Sequence, residues 1–168
     1  MFGAHALALF LLVGQTEEPD LRRYGDQGSS HAGLILGLGG GSGGMRYAAG
    51  AEYGYFVLNG IAPGAEVMVS GGTGLLTTGL LLGTLRLVPV RTTAFSLFVV
   101  GRGGRVLLSD HGDGWGVGGG AGIIFFMGGR FGLRVGYDRL ELFPRSFCAG
   151  LGGGCHVDGI EIGLVVGF

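Results

Sequence analysis

The sequence predicts an all-β fold, an eight-stranded antiparallel up-and-down transmembrane β-barrel, from three features of its 168 residues. Apolar residues alternate with small or charged residues along much of the chain, which is the pattern of β-strands. Charged residues make up 14% of the chain and hydrophobic residues 47%, whereas soluble domains average roughly 25% charged residues. The chain also ends on an aromatic residue, Phe168. A barrel whose outer wall faces lipid accounts for all three features.

The last predicted strand shows the alternation most clearly. Its apolar set is Ile160, Ile162, Leu164, Val166 and Phe168, and the residues between them are Gly159, Glu161, Gly163, Val165 and Gly167. In a membrane barrel the bulky set faces lipid, and the small or charged set faces the lumen. We therefore expect a charge at Leu164 to be costly and a small polar substitution at Gly163 to be better tolerated.

Seven further segments show the strand pattern, with varying clarity. They span residues 31–39, 46–57, 61–70, 75–87, 93–105, 116–127 and 130–138. Asn59-Gly60 is typical of a tight hairpin turn, whereas longer loops are expected at residues 39–44, 108–115 and 143–157. Short turns on one side and long loops on the other, with an even strand count, predict that both termini lie in the periplasm.

The amino end suggests a secreted protein. Residues 1–15 contain an apolar run followed by a polar step, as in a signal peptide, although no Lys or Arg precedes the run. Residues 16–30 are then expected to form a periplasmic segment, and residues 31–168 the barrel. The predicted location is the bacterial outer membrane.

Seven charged residues share the predicted lumen face. They are Arg46, Glu52, Glu66, Arg86, Arg102, Arg134 and Glu161. Because an unpaired charge in a narrow lumen is costly, these residues are expected to form a salt-bridge network that plugs the barrel. The alternative is a narrow path for ions or water.

Two groups of residues in the predicted loops carry candidate chemistry. Cys148 and Cys155 have the spacing of a small disulfide loop, which stabilises by roughly 2–3 kcal/mol; a metal site with His156 is the weaker alternative. Asp110, His111 and Asp113 combine carboxylates with Gly, which suits either a hard cation or a solvated turn. The turn is favoured, so no metal and no cofactor is predicted.

Residues 53–66 resemble the strand-turn-strand of the outer membrane protein beta-barrel families, and residues 160–168 resemble their carboxy-terminal signature. The resemblance spans about residues 30–168. It implies membrane lipids and the barrel-assembly machinery as partners, with Phe168 as an assembly signal. These families share no catalytic residues, so the resemblance implies none here.

The predicted function is a structural or envelope-interaction role without catalysis. A net charge of −1 provides no basic field for nucleic acid, and no extracellular partner is indicated. One alternative is a narrow pore for small ions or solutes. Another is an outer-leaflet lipid-modifying enzyme, suggested weakly by Ser29, Ser30 and His31. A third is a soluble barrel whose apolar faces turn inward around an apolar ligand.

Overall fold

The chain folds into a closed antiparallel barrel in which each strand pairs with the next in sequence. The computed structural model describes residues 24–41, 44–72, 75–108, 112–127, 130–144 and 155–168. The strands are β1 Ser30–Gly41, β2 Gly44–Tyr55, β3 Ile61–Gly72, β4 Leu75–Arg91, β5 Phe95–Leu108, β6 Gly112–Phe126, β7 Phe131–Phe143 and β8 His156–Gly167. Among these residues, no helix is long and apolar enough to cross a membrane.

The barrel closes where the first strand meets the last. β1 pairs with β8 in antiparallel register, with His31 opposite Gly167. Next to this pair, at the end of the barrel that carries the chain termini, the backbone N–H of Ser30 donates to the Phe168 carbonyl at 2.6 Å. The N–H of Phe168 donates to the Ser30 carbonyl at 2.9 Å. No strand edge remains open at this seam. The predicted eight-stranded up-and-down barrel is confirmed.

Side chains alternate between the outer wall and the interior along every strand. On β8, Ile160 and Ile162 point outward and are 56% and 47% exposed, whereas Glu161 between them is 5% exposed. Large apolar side chains thus cover the outside, and charged side chains lie inside. The soluble-barrel alternative is wrong, because it requires the apolar faces to point inward.

The hairpin between β2 and β3 is the tight turn that Asn59-Gly60 predicts. Gly60 has a φ of +76°, a conformation that glycine adopts without steric cost. The N–H of Val57 donates to the Ile61 carbonyl at 3.1 Å across the turn. The N–H of Gly60 donates to the Gly25 carbonyl at 2.7 Å and so ties the turn to the segment before β1.

Two of the predicted long loops are wrong. Strand pairing continues to Gly41 opposite Gly44, and to Leu108 opposite Gly112, so residues 42–43 and 109–111 are all that separate these strands. Glycine-rich runs indicate loops in most sequences, but here their backbone groups pair with a neighbouring strand. The connection between Phe143 and His156 is the long one at this end of the barrel.

Gly163 has less room for a side chain than the expected tolerance assumes. Gly163 faces the interior, but a Cβ built on it would collide with the backbone carbonyl oxygen of Leu34 on β1. Because backbone atoms of a paired strand cannot rotate away as a side chain can, even a serine at this position strains the seam between β1 and β8.

We predict that Ile162→Arg destabilises the barrel in lipid bilayers by about 2–4 kcal/mol, because it places a charge in the middle of the apolar outer wall. Urea unfolding of the protein in liposomes measures the difference, and Ile162→Leu is the matched control. An arginine at this position that unfolds at the same urea concentration as the control would contradict an outward, lipid-facing position.

Candidate functional site

The barrel interior has three layers along its axis. An apolar layer at the end that carries the chain termini, here called the lower layer, comprises Tyr24, Phe56, Ala62, Val88, Phe98, Val100, Ile124 and Val165. A smaller apolar cluster at the opposite, upper end contains Val106, Leu140 and Leu142. Charged side chains fill the space between these two layers.

The charged layer begins with two arginines that share one carboxylate. Arg86 Nη2 and Arg134 Nη1 both donate to Glu52 Oε2, at 2.5 and 2.8 Å. The other nitrogen of Arg134, Nη2, donates to Glu161 Oε2 at 2.5 Å. These four residues come from β4, β2, β7 and β8. The two pairs of Glu52 connect strands that are not neighbours in the sheet, whereas the pair of Arg134 with Glu161 connects the neighbouring strands β7 and β8.

Arg102 on β5 continues the series and contacts three carboxylates. Its Nε donates to Glu66 Oε2 at 2.9 Å, and its Nη2 donates to Glu161 Oε2 at 3.0 Å. Its Nη1 donates to Asp138 Oδ1. We call the seven residues of this layer the lumen ion network: Arg86, Glu52, Arg134, Glu161, Arg102, Glu66 and Asp138.

The lumen ion network is not neutral. Its three arginines and four carboxylates leave one excess negative charge when all seven groups are ionised. Glu52 is shared by two arginines at the lower end, whereas Glu66 and Asp138 at the upper end each pair with Arg102. The excess negative charge therefore lies at the upper end of the network.

Phe98 lies against the lower side of the network. Its ring is 5.1 Å from Arg86 Cζ and 4.8 Å from Arg134 Cζ, within the range of cation–π attraction. The side chain is 2% exposed. One aromatic ring therefore both stabilises two guanidinium groups and fills the lumen beside them.

Tyr24 enters the barrel from the segment before β1. Its hydroxyl accepts a hydrogen bond from Arg86 Nη1 at 2.9 Å, and its ring packs edge-on against Phe56 at 5.2 Å. Burial raises the pKa of the Tyr24 hydroxyl above its ordinary value, so the group stays protonated. The N–H of Gly28 donates to the Phe56 carbonyl at 2.8 Å and holds the same segment against the barrel.

The structure places six of the seven predicted lumen charges in the network, together with Asp138, which sequence reasoning did not include. Asp138 is four residues after Arg134 on β7, so the period-two alternation places both side chains on the same face of the strand. This alternation could have identified Asp138 as a lumen residue. Arg46 is half-buried near the upper end, and we find no ion pair for it among the described residues. Tyr24 was missed because residues 16–30 were assigned to a periplasmic segment; an aromatic residue in a polar stretch was its signal.

The residues that suggested catalysis, Ser29, Ser30 and His31, do not form a catalytic group. Ser29 Oγ donates to the Asp26 carbonyl at 2.6 Å, and Ser30 Oγ lies 3.2 Å from the Tyr53 hydroxyl. His31 is buried beside Tyr24, with a ring distance of 5.6 Å, and its Nδ1 has no hydrogen-bond partner. Neither serine hydroxyl therefore has the histidine as a base.

The structure describes only some residues of the predicted disulfide and of the predicted loop that contains Asp110 and Asp113. Cys148, Asp110 and His111 lie outside the described residues, so the disulfide to Cys155 stays a prediction. Asp113 forms an exposed ion pair with Arg105 at 2.7 Å. Within the described ranges, no group of histidine, cysteine or carboxylate side chains could hold a metal ion.

Phe168 lies at the lower end of the barrel, where its side chain points outward. It is 51% exposed, and its ring lies 6.5 Å from that of Tyr53 on β2. The structure thus gives the terminal ring the outward position that the strand pattern predicts.

Three solved structures share this architecture. The N-terminal barrel domain of Pseudomonas aeruginosa OprF is 13% identical, covers 84% of this chain and 98% of its own, and gives a TM-score of 0.64. Neisserial surface protein A is 11% identical, with coverages of 82% and 95% and a TM-score of 0.61. The outer membrane protein OprG of Pseudomonas aeruginosa is 15% identical, with coverages of 85% and 97% and a TM-score of 0.50. No protein family and no curated protein sequence matches the chain. The chain therefore has the fold of the small outer-membrane barrels.

We predict that Arg134→Ala destabilises the barrel by about 3–5 kcal/mol, because it leaves Glu52 and Glu161 buried with one partner fewer. Urea unfolding of the protein in liposomes measures the change. Arg139→Ala on the same strand is the control, since its pair with Glu141 is exposed and its loss should change little. Equal effects of the two substitutions would show that the lumen ion network does not stabilise the barrel.

Proposed function

We propose that the protein is an integral barrel of the bacterial outer membrane with a structural or envelope-interaction role, a closed lumen and no catalytic activity. The observation that carries the proposal is the inverted distribution of side chains. Large apolar residues cover the outer wall, while Glu66, Arg102 and Arg134 are at most 4% exposed inside it. Such a wall is stable against hydrocarbon and unfavourable in water.

The outer wall also carries aromatic residues at both ends, as expected at the two interfaces of a membrane. The lower end exposes Tyr53, Tyr55, Phe125, Phe131 and Phe168, and the upper end exposes Tyr47, Trp115 and Phe143. The strands are 12 to 17 residues long, which exceeds the roughly 9–11 residues that a tilted strand needs to span a bilayer. These features support lipids as the protein's surroundings.

The proposed orientation places both termini and the lower layer in the periplasm. The even strand count brings the termini to one end, and the long connection between Phe143 and His156 lies at the other. In outer-membrane barrels the longer loops are extracellular. The barrel-assembly machinery is proposed to recognise the outward-facing Phe168.

A closed lumen is favoured over a narrow pore by the burial of the lower layer. Phe56 and Ile124 are fully buried, and Phe98 is 2% exposed beneath the lumen ion network. Tyr24 adds a further ring to this layer. An ion crossing the barrel would have to displace these rings and disrupt the paired charges above them, and each step is costly.

We predict that the protein shows no steady conductance in planar lipid bilayers. The double variant Phe56→Ala/Phe98→Ala should produce discrete current steps, because it removes two rings that fill the lower layer and takes from Arg86 and Arg134 the Phe98 ring that supports them in the lumen ion network. Phe125→Ala, which truncates an exposed ring on the outer wall, is the control and should remain silent. Heat-modifiable gel migration verifies that each variant is folded. A steady wild-type current as large as that of the double variant would contradict the closed lumen.

A further inference from the structure

The upper half of the barrel contains a partly open cavity of about 80 Å³. Its walls are largely apolar and include Met68, Leu80, Leu82, Val106, Leu140 and Val157. Its charged lining comprises Glu66, Asp138 and Glu161 of the lumen ion network, together with Asp158 and Arg46. The cavity is therefore an apolar cup with acidic residues at its base.

Glu66 brings a buried carboxylate oxygen without a hydrogen-bond donor to the base of this cavity. The residue is 1% exposed, and its Oε2 accepts from Arg102, but its Oε1 has no hydrogen-bond partner. A buried carboxylate oxygen without a donor is costly. The excess negative charge of the network lies at the same end, since Glu66 and Asp138 share one arginine.

We propose that this cavity binds a small amphipathic amine, a primary alkylammonium. The ammonium group lies at the base and donates a hydrogen bond to Glu66 Oε1, in a lining where the carboxylates outnumber the one arginine, Arg46. The alkyl chain packs against the apolar walls, with Leu80 and Leu140 among its contacts. The protein does not need to donate a proton to this ligand, because a primary alkylamine is already protonated at neutral pH.

The chemistry of the cavity excludes other simple ligands. An anion would face four lining carboxylates against one arginine, Arg46. A bare metal ion would find apolar walls instead of the further oxygen ligands that hard cations need. An uncharged alkyl ligand would fill the walls but leave Glu66 Oε1 without a donor. The combination of an apolar body and a cationic donor fits both halves of the cavity.

Isothermal titration of the refolded full chain in lipid nanodiscs with n-hexylammonium tests the proposal, with empty nanodiscs subtracted. We expect saturable binding of n-hexylammonium that is at least about tenfold tighter than that of n-hexanol or n-hexanoate, because n-hexanol offers Glu66 only an uncharged donor and n-hexanoate carries a like charge and no donor. Equal affinities for the three ligands, or no binding of n-hexylammonium, would overturn the proposal.

Two variants test the contributions of the acidic base and of the apolar walls to binding separately. Glu66→Gln should weaken n-hexylammonium binding by about tenfold or more, whereas Arg46→Gln near the upper end should bind at least as tightly as the wild type. Leu80→Trp fills the cavity without altering the lumen ion network and should abolish binding, which decides the question should Glu66→Gln fail to fold. Unchanged binding in a folded Glu66→Gln or Leu80→Trp variant would contradict the site.

Discussion

The arrangement of this barrel depends on the pairing of charges inside it. Glu52, Glu66, Arg86, Arg102 and Glu161 lie on five different strands, and their ion pairs lie in the middle layer of the lumen, where Arg134 links Glu52 to Glu161. A slip of one residue in any of these strands would turn its charged side chain toward the outer wall. Because both an unpaired charge inside and a charge in lipid are costly, the network and the period-two pattern together favour one register.

The layers on either side of the network differ, and this difference gives the lumen two unlike ends. The lower layer is filled by rings, including Tyr24 from outside the barrel strands, whose hydroxyl accepts from Arg86. The upper end has a cavity with apolar walls above Glu66 and Asp138. A barrel that is sealed below and hollow above can hold a ligand without passing it, so a structural role and a binding site are compatible.

Period-two alternation was sufficient to predict the strand count, the strand order and the faces of the strands, because burial on one face imposes that period. It did not predict the ion-pair partners. Arg102 pairs with Glu66, Asp138 and Glu161 because the strand register and the closure of the barrel bring distant segments of the chain together, and alternation within one strand does not indicate either. Tyr24 was missed because it precedes β1, within residues 16–30, which were assigned to a periplasmic segment. Composition misled at residues 39–44 and 108–115, where glycines indicated loops although the backbone continues to pair.

The central claim is that the apolar outer wall faces lipid, and site-directed spin labelling in bilayers tests it most directly. Labels at Ile160, Ile162 and Leu164 report on the outer wall, and labels at Val165 and Leu142 report on the interior. The account predicts that a lipid-soluble relaxant accelerates relaxation strongly at the three outer positions and weakly at the two inner ones. Equal relaxation at both sets, or stronger relaxation at the inner positions, would contradict a membrane-embedded barrel with this assignment of faces.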